Sequence, residues 1–203
     1  FYQQQWLWQT KPDLMKGFNI EKPLWVFVGN TVNDEDSDIL SILRFLGDFL
    51  NDRDTSIAII DELLHDRAQL LDSKSRNIFH QRFLPLTGCK ADSVFSGILK
   101  ILFNSEDLQR LKVVHLKGGT GELALRLGEH EPFGLINIGD AAKFAGECDD
   151  KSEFDLETDD FGKSLFHSIN ERDSKLHILI GSRKFTEGWS SWRVSTMGLM
   201  NMG

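Results

Sequence analysis

Leu24-Trp25-Val26-Phe27-Val28-Gly29-Asn30, released by Pro23, is the stretch whose reading decides the fold. An unbroken apolar run rich in β-branched and aromatic side chains and closed by glycine has the length of a buried strand. Acidic capping chemistry follows at 34–38, and Ile39, Ile42, Leu43, Leu46, Phe49 and Leu50 then recur at three-and-four spacing. That spacing predicts an amphipathic helix with one face on a core. Strand, turn and helix in this order open an α/β unit.

Working outward, Ser56-Ile57-Ala58-Ile59-Ile60 reads as a second short strand, with helices predicted over 61–71, 75–83 and 91–103. Alternation in 112–116 and 122–127 flanks Lys117-Gly118-Gly119-Thr120-Gly121, which predicts a β-hairpin whose turn uses glycines for positive φ. The same glycines invite a phosphate-binding reading, but the Gly-Lys-Ser/Thr ending of a P-loop is missing. Residues 133–138 read as a strand, 139–144 as the start of a short helix, and 161–170 as a helix. Residues 176–180 have the apolar density of a parallel-sheet interior, and 195–200 are strand-like. The expected architecture is a three-layer α/β domain over 23–203, with a mostly parallel central sheet and an added hairpin. Residues 1–22 read as a leader segment whose helix packs onto this domain or a neighbour.

A chain of 203 residues suffices for one sizeable core, and no apolar run approaches the roughly 20 residues needed to span a bilayer. A cytoplasmic protein without a membrane partner is expected, with Cys89 and Cys148 as reduced thiols. The start at Phe1 suggests a piece of something longer. A net charge of −8 at first argues against nucleic acid. Eight carboxylates against Lys151 place −7 of it between Glu147 and Asp160, however, leaving about −1 elsewhere. Residues 147–160 are therefore expected as a solvated loop or insertion, and a local basic face remains open.

The chemistry concentrates in Gly181-Ser182-Arg183-Lys184-Phe185-Thr186-Glu187-Gly188-Trp189-Ser190-Ser191-Trp192-Arg193-Val194. Ligands of open α/β sheets gather beyond the carboxyl ends of the strands, so Arg183 and Lys184 are placed to face phosphate. Thr186 offers a hydroxyl, and Gly188 permits close backbone approach. The spacing equally fits a short helix capped by Thr186-Glu187 and ended by Gly188, with Trp189 and Trp192 as core aromatics. The six histidines lack metal-ligand spacing, and His130 in Gly128-Glu129-His130-Glu131 reads as a loop residue. Asp61-Glu62 reads as acidic dressing of a helix N-terminus.

Phe185 to Val194 resembles motif V of the type III restriction endonuclease helicase subunits, superfamily 2 motors of DEAD/DEAH-box type that show an F-x-E-G-W-D-like run at this place. Residues 24–30 resemble the first strand of that family's second RecA-like domain, with Gly29-Asn30-Thr31 in the motif IV region. Similarity extends over 116–144 and 161–203. The resemblance implies the second half of an ATP-dependent DNA helicase or translocase, which clamps ATP and Mg²⁺ between two RecA-like domains. Thr186, Glu187, Gly188, Trp189 and Ser190 would couple nucleic acid to nucleotide, and Gly29, Asn30, Thr31, Arg183 and Lys184 would contact the DNA backbone. Ser190 stands where the family often has aspartate, so a ribose contact does not carry over. No G-x-x-x-x-G-K-[ST], D-E-x-H or D-E-x-D occurs, and Q-x-x-G-R-x-x-R is not reached before Gly203. The expectation is no catalytic residue, no metal ligand, no tightly bound ATP or Mg²⁺ and no ATPase activity in this chain alone. Expected partners are DNA, a first RecA-like domain and a modification methyltransferase subunit. The alternative is a non-catalytic α/β interaction module that docks through Trp189, Trp192 and the acidic loop.

Overall fold

The computed structural model describes residues 1–18, 21–29, 37–147, 153–182 and 189–200. Its strands are β1 (Leu24–Gly29), β2 (Leu111–Gly118), β3 (Glu122–Leu127), β4 (Gly134–Asn137), β5 (Asp155–Lys163), β6 (Ile178–Ser182) and β7 (Val194–Leu199). They form one seven-stranded sheet in the order β5-β2-β3-β4-β6-β1-β7. β5–β2, β4–β6, β6–β1 and β1–β7 pair in parallel, while β2–β3 and β3–β4 are antiparallel. Only β3 therefore runs against the rest, and the carboxyl ends of the other strands meet on one edge.

The helices are α1 (Tyr2–Thr10), α2 (Pro12–Met15), α3 (Asp38–Asn51), α4 (Arg53–Leu64), α5 (Ala91–Leu102) and α6 (Ala141–Glu147). Ser37 caps α3 by accepting from the Leu40 amide at 3.2 Å. Period-2 alternation splits the strands between two faces. Phe27, Leu123, Leu125, Ile136, Ile178 and Ile180 face a core shared with Ile39, Leu43 and Leu46 of α3, Phe95 and Leu99 of α5 and Phe144 of α6. Burial of each such side chain contributes about 1.5–3 kcal/mol. Leu24, Val26, Val28, Leu135 and Leu179 face the other way, where Leu165, Phe166, Ile169, Leu176 and Trp189 cover them. Helices, sheet and this covering segment make an α/β fold consistent with a RecA-like three-layer arrangement. α1 packs onto the domain, with Gln5 wholly buried and Tyr2 so close to Gly97 that a Cβ there would meet its hydroxyl at 2.2 Å. No described helix is long and apolar enough to cross a membrane.

Several predicted elements fold differently. Residues 56–60 lie inside α4, because Asp52 accepts from the Thr55 amide at 3.1 Å and starts a helix whose buried residues, Ser56 and Ile60, are one turn apart. That helix stops at Leu64 instead of reaching 71, since Asp66 takes a φ of 55°. Residues 75–83 form turns, with Ser75 and Gln81 at φ of 58° and 56°, a conformation no right-handed helix contains. The predicted helix over 161–170 is the end of β5 followed by a 3₁₀ turn, Phe166–Ser168.

The acidic stretch is corrected as well: its described part is mostly strand, not solvated loop. Asp155 pairs with Arg110 at 2.5 Å, Glu157 with Lys112 and Arg126 at 2.6 Å each, and Asp160 with Lys117 at 2.6 Å. Cations on β2, β3 and the approach to β2 thus pair with three of the four acids of the strand, and Asp159 accepts from the Phe161 amide at 3.0 Å.

Candidate functional site

In an open α/β sheet the ligand-binding crevice lies beyond the carboxyl ends of the strands. Here the chain leaves β1 after Gly29 and β6 after Ser182, and these two residues are register partners on adjacent parallel strands. The two segments that follow β1 and β6 therefore start from neighbouring points of one edge. Gly29 is required there by packing: a Cβ would stand 2.9 Å from the Cβ of Asp38 at the start of α3. Asn30, Thr31, Arg183, Lys184, Thr186, Glu187 and Gly188 lie outside the described residues.

The rest of this edge is built from turns. Asn137 of β4 pairs with Gly181, and the Asp140 carboxylate then accepts from the Lys143 amide at 2.9 Å, capping α6. The hairpin forms as predicted, with Gly121 at φ 73° and the Ile138 amide donating to its carbonyl at 2.8 Å. A Cβ on Gly121 would come within 1.9 Å of the Ile138 oxygen, so this glycine serves the fold. Beside it Glu122 is buried, its carboxylate accepting from Ser164 Oγ at 2.6 Å and from the Leu165 and Phe166 amides at 2.7 and 3.2 Å. Those bonds anchor the segment that covers the second face, and no spacing in the sequence announced them.

The two tryptophans of the motif part company. Trp189 is half-buried against the second core cluster, its ring 6.2 Å from that of Phe166. Trp192 is 77 % exposed, so it is not a core aromatic. Ser190 is exposed, and its carbonyl accepts from Asn170 Nδ2 at 3.4 Å.

Arg193, one residue before β7, is the largest of the fully buried side chains. Its Nε donates to the Lys22 carbonyl at 2.9 Å, one terminal nitrogen to Leu176 at 2.6 Å, and the other to Ile169. It thereby ties together the amino ends of β1, β6 and β7. Next to it, Gln5 Nε2 donates to the Pro23 carbonyl at 2.5 Å and to His177 Nδ1 at 3.1 Å. An amide N–H only donates, so Nδ1 accepts, and the proton sits on Nε2, which donates to Asn104 Oδ1 at 3.3 Å. Asn104 Nδ2 in turn donates to the Pro132 and Lys175 carbonyls, each at 3.0 Å.

Burial, reinforced by Lys22, Arg193 and Lys175, pushes the His177 imidazole down to about 3. Burial also lowers the Lys22 ammonium to about 8, with Arg193 and Lys175 adding repulsion and Asp173 opposing it. Arg193 falls to about 10, mainly through burial, and stays a cation at neutral pH. Lys22 donates to the Ser174 carbonyl at 2.6 Å. None of these residues was singled out in the sequence as part of a polar lock, because nothing local marks a buried arginine.

Among the described residues no group of three or more His, Cys, Asp or Glu is placed to hold a metal ion. Asp61 lies in the last turn of α4, not at a helix N-terminus, and pairs with Arg67 and with His65 at 3.2 Å. Cys89 is exposed and forms no disulfide with a described residue, while Cys148 lies outside them. Compared with known proteins, the chain matches no protein-family model, no curated protein and no solved structure.

Proposed function

We propose that this chain is the second RecA-like domain of an ATP-dependent DNA helicase or translocase, of the kind that drives type III restriction enzymes. The observation that supports the reading is the pairing of Gly29 with Ser182 on adjacent parallel strands. It starts the two sequence segments that resemble motifs IV and V side by side, on the edge where α/β sheets take their ligands. In this reading 29–31 and 183–184 contact the DNA backbone without reading sequence. Residues 186–190 transmit that contact to ATP and Mg²⁺, held against a first RecA-like domain. A cytoplasmic setting and a methyltransferase partner belong to the same proposal.

The test is DNA titration against ionic strength, with Arg183→Gln/Lys184→Gln alongside the parent. Loss of two phosphate contacts weakens binding and reduces the slope of log affinity against log salt by about 1.8 for duplex DNA. A slope that does not change removes those residues from the interface. ATP turnover by the chain alone at an ordinary enzymatic rate would overturn the half-motor reading.

The 77 % exposure of Trp192 favours a second reading, a non-catalytic module that docks a partner through this ring. DNA protecting Trp192 from a quencher supports the motor, whereas a ring indifferent to DNA and covered by a protein partner supports docking.

A further inference from the structure

The opposite, amino edge of the sheet carries a hollow of about 270 Å³ walled by Trp8, Lys22, Asn170, Arg172 and Arg193, with Glu21 and Glu171 also lining it. We infer that this hollow binds a phosphate group carried on a planar base, as in a nucleotide or a nucleic-acid strand, the phosphate meeting Lys22 and Arg172 over the buried charge of Arg193 and the base stacking on Trp8.

The first argument is uncompensated charge. Lys22, Arg172, Arg193 and the neighbouring Lys175 form no ion pair with any described carboxylate. On the opposite side of the sheet order, by contrast, Arg110, Lys112, Lys117 and Arg126 around β5 all pair with acids. Against these four cations stand Glu21, Glu171 and Asp173, so the rim is net positive in a chain of net charge −8. Mutual repulsion contributes to the low values of Lys22 and His177, and an entering anion relieves it.

The second argument is spare hydrogen-bonding capacity: Lys22, half-buried, spends one of its three donors on Ser174, while Arg193 beneath is held in place by three carbonyls. Arg172 is exposed at the mouth. The third argument is the indole of Trp8 in the same wall, since cations with an interleaved aromatic ring form the usual pairing for sequence-tolerant nucleic-acid contact. The inference does not rest on the carboxyl-edge reading: it uses other residues on the opposite edge.

The experiment is calorimetric titration of the chain at low ionic strength with inorganic phosphate, deoxyadenosine, deoxyadenosine 5′-monophosphate and an oligodeoxythymidine. The monophosphate is expected to bind at least about tenfold more tightly than either half of it alone. Trp8→Ala brings it down to the level of phosphate, and Arg172→Gln, at an exposed position, weakens phosphate and monophosphate together by severalfold. Arg183→Gln/Lys184→Gln leaves the monophosphate untouched, which separates this site from the carboxyl edge. Displacement of the monophosphate by the oligonucleotide identifies a strand as the source, and failure to displace identifies a free nucleotide. Monophosphate affinity equal to that of deoxyadenosine, or unchanged in Trp8→Ala and Arg172→Gln, overturns the proposal.

Discussion

At the amino edge of the sheet, Gln5, Lys22, Asn104 and Arg193, from four parts of the chain, converge on backbone carbonyls. Arg193 binds three of them, Gln5 and Asn104 hold more, and His177 links the two amides. At the carboxyl edge strands end at Gly29, Gly118, Asn137 and Ser182, Asp140 caps α6 locally, and the Glu122 carboxylate holds Ser164, Leu165 and Phe166. One edge is locked by a network of side chains on backbone carbonyls, and the other by a single long-range anchor, Glu122, among local turns. The difference teaches where the fold is most strongly specified: a buried, satisfied polar network fixes a single arrangement, and here it sits at the amino edge.

The sharpest way to break this contrast is Arg193→Met. It leaves the Lys22, Ile169 and Leu176 carbonyls without their donor, and a loss of about 3–5 kcal/mol is expected in denaturant unfolding. A loss below 1 kcal/mol, by the same order-of-magnitude reasoning, would mean that the lock is decorative. Next in size is Gly121→Ala on the carboxyl edge, expected to cost about 2–4 kcal/mol because it combines φ 73° with a Cβ 1.9 Å from the Ile138 oxygen. That outcome sharpens the contrast by assigning the hairpin turn to the fixed part of the edge.

The third test is acid. His177 titrates near 6.5 when unfolded and about 3 when folded, so below 6.5 the unfolded chain binds a proton that the folded chain refuses. Its contribution is intact above pH 6.5 and is lost as pH falls toward 3, amounting to about 2 kcal/mol at pH 5. His177→Gln should remove that component from the stability-against-pH curve between pH 7 and 5, and a superimposable curve would refute it. The smallest effect is expected from Ser190→Ala, within about 0.5 kcal/mol in the same unfolding assay, since the residue is exposed and only its carbonyl is engaged.

How much of this was legible depends on whether the signal was local. β1, α3, the hairpin, β4, α5 and β6 could be read directly, because each is an apolar run or a periodic stripe that faces a core. Residues 56–60 carry the β-branched density of a strand, yet the Asp52 cap and the one-turn spacing of Ser56 and Ile60 make them helix. β5 was invisible as a strand since its stability comes from cations of other strands, an interaction between residues 31 or more apart in sequence for Glu157–Arg126 and Asp155–Arg110. The candidate site divides the same way. The sequence singled out 29–31 and 183–190, of which the described residues show only that Gly29 and Ser182, where the two segments leave the sheet, are register partners. Arg193 stood within the quoted motif, yet its burial depends on three carbonyls up to 171 positions away.

β1 has one more consequence, for how the chain reaches its native state. Its partners are β6 and β7, with Trp25 opposite Ile178 and Thr196, so about 150 residues must be in place before its hydrogen bonds can form. During synthesis the first strand of the sheet is therefore among the first to emerge and among the last to be satisfied. Until then it is an apolar segment with two open sides, the kind that seeks a partner on any neighbouring chain. Slow, separation-limited closure follows from such contacts. The interior position of β1, one strand in from the β7 edge, leaves both its sides to be closed by strands from the far end of the chain, and makes it the piece of the nascent chain most in need of shelter.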